Sequence, residues 1–489
     1  MGTYDAIDRL TQVDQSGNAG NPSLFYYYNA IGQITYLGRG ATSYPGSSFM
    51  DNPFGYDLAN RLTSLYYQRV ADSGHIADYS WTLDAADRIT TYFSQIYPAG
   101  LGEGEPNINN ATYTYDTQNQ VKGVDNDFIA TDESYTYDSS GNRTGGGYST
   151  STDNQLTNDG TYTYTYYNEG TRKRRTKISD GSYDEYIWDF RGRLAQVLSY
   201  GPSPSNTLLK TTTYTYDASD RRIQKQISGS QTLTERYSYD GSDLILGFDG
   251  ATPTLKQRYM YGAQDGAAMT EENAATGYWL WLLADQQGTI RTVTDGQAPE
   301  AGTIMNFITY DSFGNILPGS ATPARFAYTG QEYDAESGLY FYNARYYDPK
   351  VGRFISQDPI GFEGGDANLY RYVGNNSVNE VDPTGLITGG GFMNAIGSAY
   401  RGEIGDPLQS PYSISTAPTP VIGGAFSSSS GFSVGFNRGI TGLTPSTMSI
   451  NDMTLMYDDN RLALGPTNVY SADHSQRRRA HRGDPAARG

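Results

Sequence analysis

The sequence predicts an all-β protein assembled from one repeated hairpin. Three observations lead there. The string Tyr-Thr-Tyr-Asp recurs, as Tyr113-Thr-Tyr-Asp116, Tyr135-Thr-Tyr-Asp138 and Tyr214-Thr-Tyr-Asp217, with Tyr237-Ser-Tyr-Asp240 close to it. A Gly, Asn or Asp stands three residues after the aspartate in unit after unit. Tyrosine supplies 44 of the 489 residues, so an interior can be built from rings that also carry a hydroxyl.

Each part of the unit has a physical reason. Tyr-Thr-Tyr alternates with period two and uses strand-forming residues throughout. The aspartate opens a turn by bonding nearby backbone amides. The Gly, Asn or Asp supplies a left-handed residue, and a Leu or Ile starts the return strand. The pattern is aromatic-Asp-x-x-(Gly/Asn/Asp)-(Arg/x)-(Leu/Ile). It is readable at Tyr4-Asp5, Tyr28-Asn29, Tyr56-Asp57, Leu83-Asp84, Tyr115-Asp116, Tyr137-Asp138, Trp188-Asp189, Tyr216-Asp217 and Tyr310-Asp311. Units recur roughly every 20–30 residues, which marks a repeat array. One hairpin is marginal alone, so neighbours must stack side by side. A generic β-sandwich is the competing fold, but sandwiches do not repeat one turn motif this often.

Composition narrows the function. There is no cysteine, which excludes disulfide scaffolds and cysteine-based zinc sites. A net charge of −18 argues against a nucleic-acid surface over the whole chain. The aromatic content argues against disorder despite low mean hydropathy. The amino terminus has no basic start and no apolar stretch, so no signal peptide is visible. The longest apolar run, Tyr278-Trp-Leu-Trp-Leu-Leu-Ala284, is too short to span a bilayer.

The repeats and the stretch RFAYTGQEYDAESGLYFYNARYYDPKVGRFISQDPIG (325–361), continuing through NLYRYVGNN (368–376) to VDPTGL (381–386), resemble the YD-repeat or RHS-repeat proteins and their RHS-associated core. The resemblance covers roughly residues 4–386. It includes bacterial polymorphic toxins, C subunits of Tc-type insecticidal toxins and, distantly, the animal teneurins. It implies a long antiparallel sheet of YD hairpins that spirals into a hollow shell, closed by the core. The division implied is a repeat shell over 1–320, a self-cleaving core over 321–386 and a variable carboxy-terminal segment over 387–489, a toxin or cargo in part disordered. The shells implied are longer than the repeat region here, which begins inside a unit at Tyr4. A partial or open shell, or a fragment of a larger protein, is therefore also expected, and an open shell would expose an edge strand.

By the same resemblance Arg345, Asp358 and Asp382 form an aspartyl-protease-like site that cuts its own chain between Leu386 and Ile387. Two close carboxylates do not both ionise easily and share a proton. One can activate water while the other protonates the leaving group. The pair would titrate as a unit, and an arginine beside it would favour one ionised member. The residues alone also fit plain type I turns, Asp-Pro-x-Gly in both places. Asp348-Pro reads as structural.

No cofactor or metal is expected. His75, His474 and His481 are scattered, and Asp240-Gly-Ser-Asp243 reads as a solvated turn before a calcium loop. Gly431-Phe-Ser-Val-Gly435 matches a nucleophile elbow but lacks strand–turn–helix context. Arg172-Lys-Arg-Arg-Thr-Lys177 reads as a solvated strand face. The tail loses the repeats, carries Pro407, Pro411, Pro418 and Pro420, and ends in an arginine cluster after Gln476, the one place where nucleic acid would bind.

The first function expected is an RHS toxin-type protein, secreted or at a bacterial surface. Its partners would be its own carboxy-terminal segment as cargo, a toxin-complex or secretion-system component, or an immunity protein. The alternatives are a non-catalytic, glycan-binding surface scaffold and an inactive fragment. Inward-facing tyrosines favour the first; outward stripes favour the scaffold.

Overall fold

The computed structural model describes residues 2–386, apart from residue 8 and the segments 16–21, 41–47, 70–73, 98–106, 128–130, 230–231, 251–252, 263–267, 298–301, 319 and 321–323, together with residues 453–458 and 461–466. Contacts divide the chain into a large unit, Met1–Tyr216 with Asp220–Gly405, and a small one, Asp217–Ser219 with Asp406–Gly489.

Among the described residues the large unit is built on two long antiparallel sheets. The first has eleven strands, from Gly2–Tyr4 to Glu133–Ser134, and the second has fifteen, from Tyr148–Thr150 to Ile304–Phe307. Every strand pairs with its neighbours in sequence. The sheets therefore grow one hairpin at a time, as the repeat predicts. A short pair, Thr136–Tyr137 with Arg143–Thr144, lies between them in sequence.

The unit at Asp57 shows how each hairpin is closed. Asn60 N–H donates to Asp57 O at 3.0 Å, and Asp57 N–H donates to Arg61 O at 2.9 Å. Asn60 sits at φ 62°, and the register slips between Gly55 and Tyr56. This is a tight turn followed by a bulge with a left-handed residue. The side chain of Asp57 completes it. Its Oδ1 accepts from the amides of Ala59 and Arg61, both at 2.9 Å, and its Oδ2 accepts from Arg61 Nε at 2.7 Å. The same three bonds recur at Asp84 and Asp189.

Consecutive units are tied by the ring before the aspartate. Tyr56 O–H donates to Ile34 O at 2.8 Å, Tyr28 to Leu10 O at 2.7 Å and Tyr115 to Ile89 O at 2.6 Å. Each acceptor is the carbonyl of the residue that starts the return strand one unit earlier. Where tryptophan replaces tyrosine, Trp188 Nε1–H makes the same bond to Arg172 O at 2.7 Å. The turn arginine lies over the ring of the next unit, Arg9 over Tyr28 at 4.6 Å and Arg193 over Tyr216 at 4.8 Å, within cation–π range.

Alternation decides which way the rings point. In Tyr162–Tyr166 the central Tyr164 is buried, while Thr163 and Thr165 are exposed. Tyr79, Tyr186, Tyr214 and Tyr237 are likewise buried. The two sheets share a core in which Leu24, Tyr67 and Tyr79 pack with Met260, Trp279 and Trp281. Tyr67 O–H crosses to Ala284 O at 2.7 Å.

The basic run at 172–177 departs from the expected solvated face. Arg172 is fully buried and Arg175 nearly so; both pair with Asp348, Arg172 at 2.7 Å and Arg175 at 3.7 Å. The register slips between Thr165 and Tyr166, and this bulge lets residues three apart face the same way, so both turn inward while Lys173 stays outside. The arginines serve as partners for a buried carboxylate, which composition could not reveal. That pairing also gives Asp348 its structural place. Burial pushes its carboxyl up, but Arg172 and Arg175 outweigh this and hold it below the usual range.

After the second sheet comes a four-stranded one, Glu332–Asp334, Leu339–Tyr342, Arg345–Asp348 and Arg353–Phe354. Its outer carboxylates are held by the large sheet: Glu332 by Arg222 at 2.9 Å and Asp334 by Lys225 at 3.3 Å. Tyr340, Tyr342, Tyr347 and Tyr372 fill its interior with Phe354. In the small unit, Met453–Asp458 pairs with Arg461–Pro466 as a hairpin, which the sequence reading did not anticipate in the tail. Gly431–Gly435, His474, His481 and the terminal arginines lie outside the described residues.

Two predictions follow from these bonds. Tyr56→Phe removes one hydroxyl bond and leaves Ile34 O without that donor, and should lower stability by about 1 kcal/mol, read as a shifted urea midpoint with an unchanged slope. Asp311 is pushed up to about 7 by burial and by Glu133 beside it. The folded chain thus keeps a proton that the unfolded chain loses near pH ~3.9, and stability drains away as pH rises between the two values. Asp311→Asn keeps an oxygen for the amides of Phe313 and Asn315 and has no such proton. Its melting temperature relative to wild type should climb from pH ~4 to pH ~7; a flat difference would count against the account.

Candidate functional site: two carboxylates on one guanidinium

The site forms where three stretches of the core converge. Arg345 opens the third strand of the small sheet. Asp358 follows the last strand, and its amide donates to Leu369 O at 2.9 Å. Asp382 sits on the closing Asp-Pro-Thr-Gly segment. That segment is fastened to the turn before Arg345, with Ala344 N–H on Thr384 O at 3.1 Å and Asn343 Nδ2 on Pro383 O at 3.1 Å. Gly385 can take part because it has φ 72° and no Cβ, which would otherwise lie 2.4 Å from Tyr342 O.

Arg345 is the hub. Its Nη2 lies 3.0 Å from Asp358 Oδ2 and 3.2 Å from Asp382 Oδ2. Its Nε donates to Gly385 O and its Nη1 to Leu369 O at 3.2 Å. The guanidinium stacks over Phe354 at 3.6 Å. The structure thus brings together all three residues that the sequence singled out, and they meet through the arginine.

The two carboxylates are not equivalent. Asp382 Oδ1 accepts from the amides of Gly385 at 2.8 Å and Leu386 at 3.1 Å, with Thr384 Oγ1 at 3.4 Å. Asp358 Oδ1 accepts from Ile360 N–H at 3.0 Å. Burial pushes Asp358 above the usual carboxylate range; Arg345 opposes this and Asp382 adds to it. Burial also lowers Arg345, against the pull of both carboxylates. Asp382 thus holds the 384–386 backbone, while Asp358 bonds one amide and the guanidinium.

Leu386 is the last described residue of this stretch, and Ile387 lies outside the described residues. Sequence reasoning missed two supporting groups, the Leu369 carbonyl and the Phe354 ring. Neither has a spacing signal, because each acts through backbone or shape. Among the described residues no cluster of metal-binding side chains is found and no helix is long and apolar enough to cross a membrane.

Hairpins of this kind, followed by a core of this kind, define an RHS/YD-repeat protein of the toxin type. The chain belongs to the Teneurin YD-shell family, whose model matches residues 76–378. It is 32% identical over 261 residues to the tRNA3(Ser)-specific nuclease WapA of Bacillus spizizenii, covering 51% of this chain and 10% of that protein. It is 28% identical over 234 residues to the protein named probable deoxyribonuclease RhsB of Dickeya dadantii, covering 46% of this chain and 15% of that one. The Tc holotoxin pore of Photorhabdus luminescens shares the fold, with a TM-score of 0.55 at 20% identity over 80% of this chain and 21% of that chain. The matched region is thus a small part of each relative's length.

Proposed function

We propose that this chain is the repeat-and-core part of an RHS toxin whose core cuts its own backbone after Leu386. The sheets would then enclose the segment 387–489 as cargo. The observation that carries the reading is the gathering of Asp358 and Asp382 on Arg345, with the backbone leading to Leu386 held by Asp382 Oδ1. The inward tyrosines also suit an enclosing sheet better than an outward, sugar-binding one.

The chemistry balances with these residues. Asp358, ionised, takes a proton from water as the water oxygen bonds to the Leu386 carbonyl carbon. The Leu386–Ile387 C–N bond then breaks, and Asp358 returns the proton to the departing Ile387 nitrogen. Arg345 keeps Asp358 ionised before attack. Asp382, which accepts from the Leu386 amide, holds the backbone at the bond in place. The WapA and RhsB relatives are named as nucleases, which makes an effector acting on nucleic acid a reasonable role for the tail. Secretion or surface display, with a toxin-complex or immunity partner, belongs to the same reading.

Expression of the full chain should give a fragment ending at Leu386 by intact mass. Asp358→Asn should stay whole while melting like the wild type, and Asp382→Asn should cut at least about tenfold more slowly through misplacement. A folded wild-type chain that stays whole would overturn the reading.

A further inference from the structure

Gly364 ends the short 3₁₀ turn Gly361–Gly364 that follows Asp358. A Cβ built there would stand 2.8 Å from Asp358 Oδ2 and 3.2 Å from Leu386 O. The first distance is shorter than side chains tolerate and the second is tight. One bare Cα therefore faces both the carboxylate oxygen that would move the proton and the carbonyl oxygen of the bond to be cut. The reason for glycine here is space and not conformation. Its φ lies outside the left-handed region, unlike that of Gly365 at 86°.

We propose that Gly364 is a positioning residue for the cut: its missing side chain lets the turn close on Asp358 Oδ2 and Leu386 O together. This rests on the self-cleavage reading above. The two contacts would respond differently to a methyl group. Leu386 O is backbone, tied through its own amide to Asp382. Asp358 Oδ2 is the end of a side chain and can swing away at small cost to the fold. As it swings it leaves both Arg345 Nη2, now 3.0 Å away, and its place beside the Leu386 carbonyl. A methyl group here would thus move the reacting carboxylate and leave the turn standing. It would also dry the carboxylate and weaken its tie to the guanidinium, both of which raise its pKa.

The test compares wild type, Gly364→Ala and Phe362→Ala. Phe362 shares the turn but is 74% exposed, so its loss should leave cutting unchanged. Uncut full-length chains are held in urea, diluted into buffers between pH ~4 and pH ~8, a span around the carboxylate values, and followed by intact mass. Gly364→Ala should cut on the order of 100-fold more slowly, as a misplacement of about 1 Å predicts. Its melting temperature should match wild type, and the acid limb of its pH–rate curve should move to higher pH. Cutting by Gly364→Ala at the wild-type rate, or with an unmoved acid limb, overturns this inference and leaves self-cleavage standing. Slow cutting together with a collapsed melting temperature also overturns it, since the glycine would then serve the fold. A wild-type chain that never cuts overturns both.

Discussion

The fold depends on one carboxylate used three ways. In each complete unit the aspartate caps two turn amides with one oxygen and holds the turn arginine with the other. That arginine then lies over the ring of the next unit, as Arg9 does over Tyr28. The ring's hydroxyl returns to the carbonyl of the unit before it. Turn closure, arginine orientation and hairpin stacking are thus one connected set of bonds. Charge is screened and cheap at a surface turn, but here the arginine is pinned at both ends, so little freedom remains to be lost. Where the arginine is absent, as at Asp116 and Asp138, Gln120 and Asn142 take its place on the second carboxylate oxygen.

The same economy places the core. The sheet points arginines and a lysine inward at Arg172, Arg222 and Lys225, and the core answers with Asp348, Glu332 and Asp334. Ions buried in this way contribute little net stability unless paired, and breaking one pair costs about 3–5 kcal/mol. These pairs tie the core to the sheet through three separate carboxylates. Arg345 follows the same rule with two carboxylates, and burial, with a small addition from Asp382, is what leaves Asp358 in a shifted state. A structural habit of the fold, seen also where Arg222 meets Glu332 and Asp334, becomes a candidate chemical site where the two acids lie beside the Leu386 backbone.

Much of this was legible in the sequence, for a local reason. The turn unit is complete within a few residues, so Tyr56-Asp57 and Asn60-Arg61-Leu62 announce a hairpin without any tertiary knowledge. Asp358, Asp382 and Arg345 were legible through the core signature. Features that depend on two distant strands were not. The run at 172–177 looked solvated because its partner Asp348 lies far along the chain. The hydroxyl bond from Tyr28 to Leu10 O joins separate units and leaves no spacing of its own. Gly364 looked like one glycine among 57; its significance comes from two oxygens brought to it by Asp358 and Leu386.

The central claim is that water, activated at Asp358, hydrolyses the Leu386–Ile387 bond. The most direct test is to let the chain fold in water enriched in heavy oxygen and weigh both products. The account predicts one heavy oxygen in the fragment ending at Leu386, on its new carboxylate, and none in the fragment beginning at Ile387. A cut at any other bond, or a Leu386 carboxylate without the label, would contradict it.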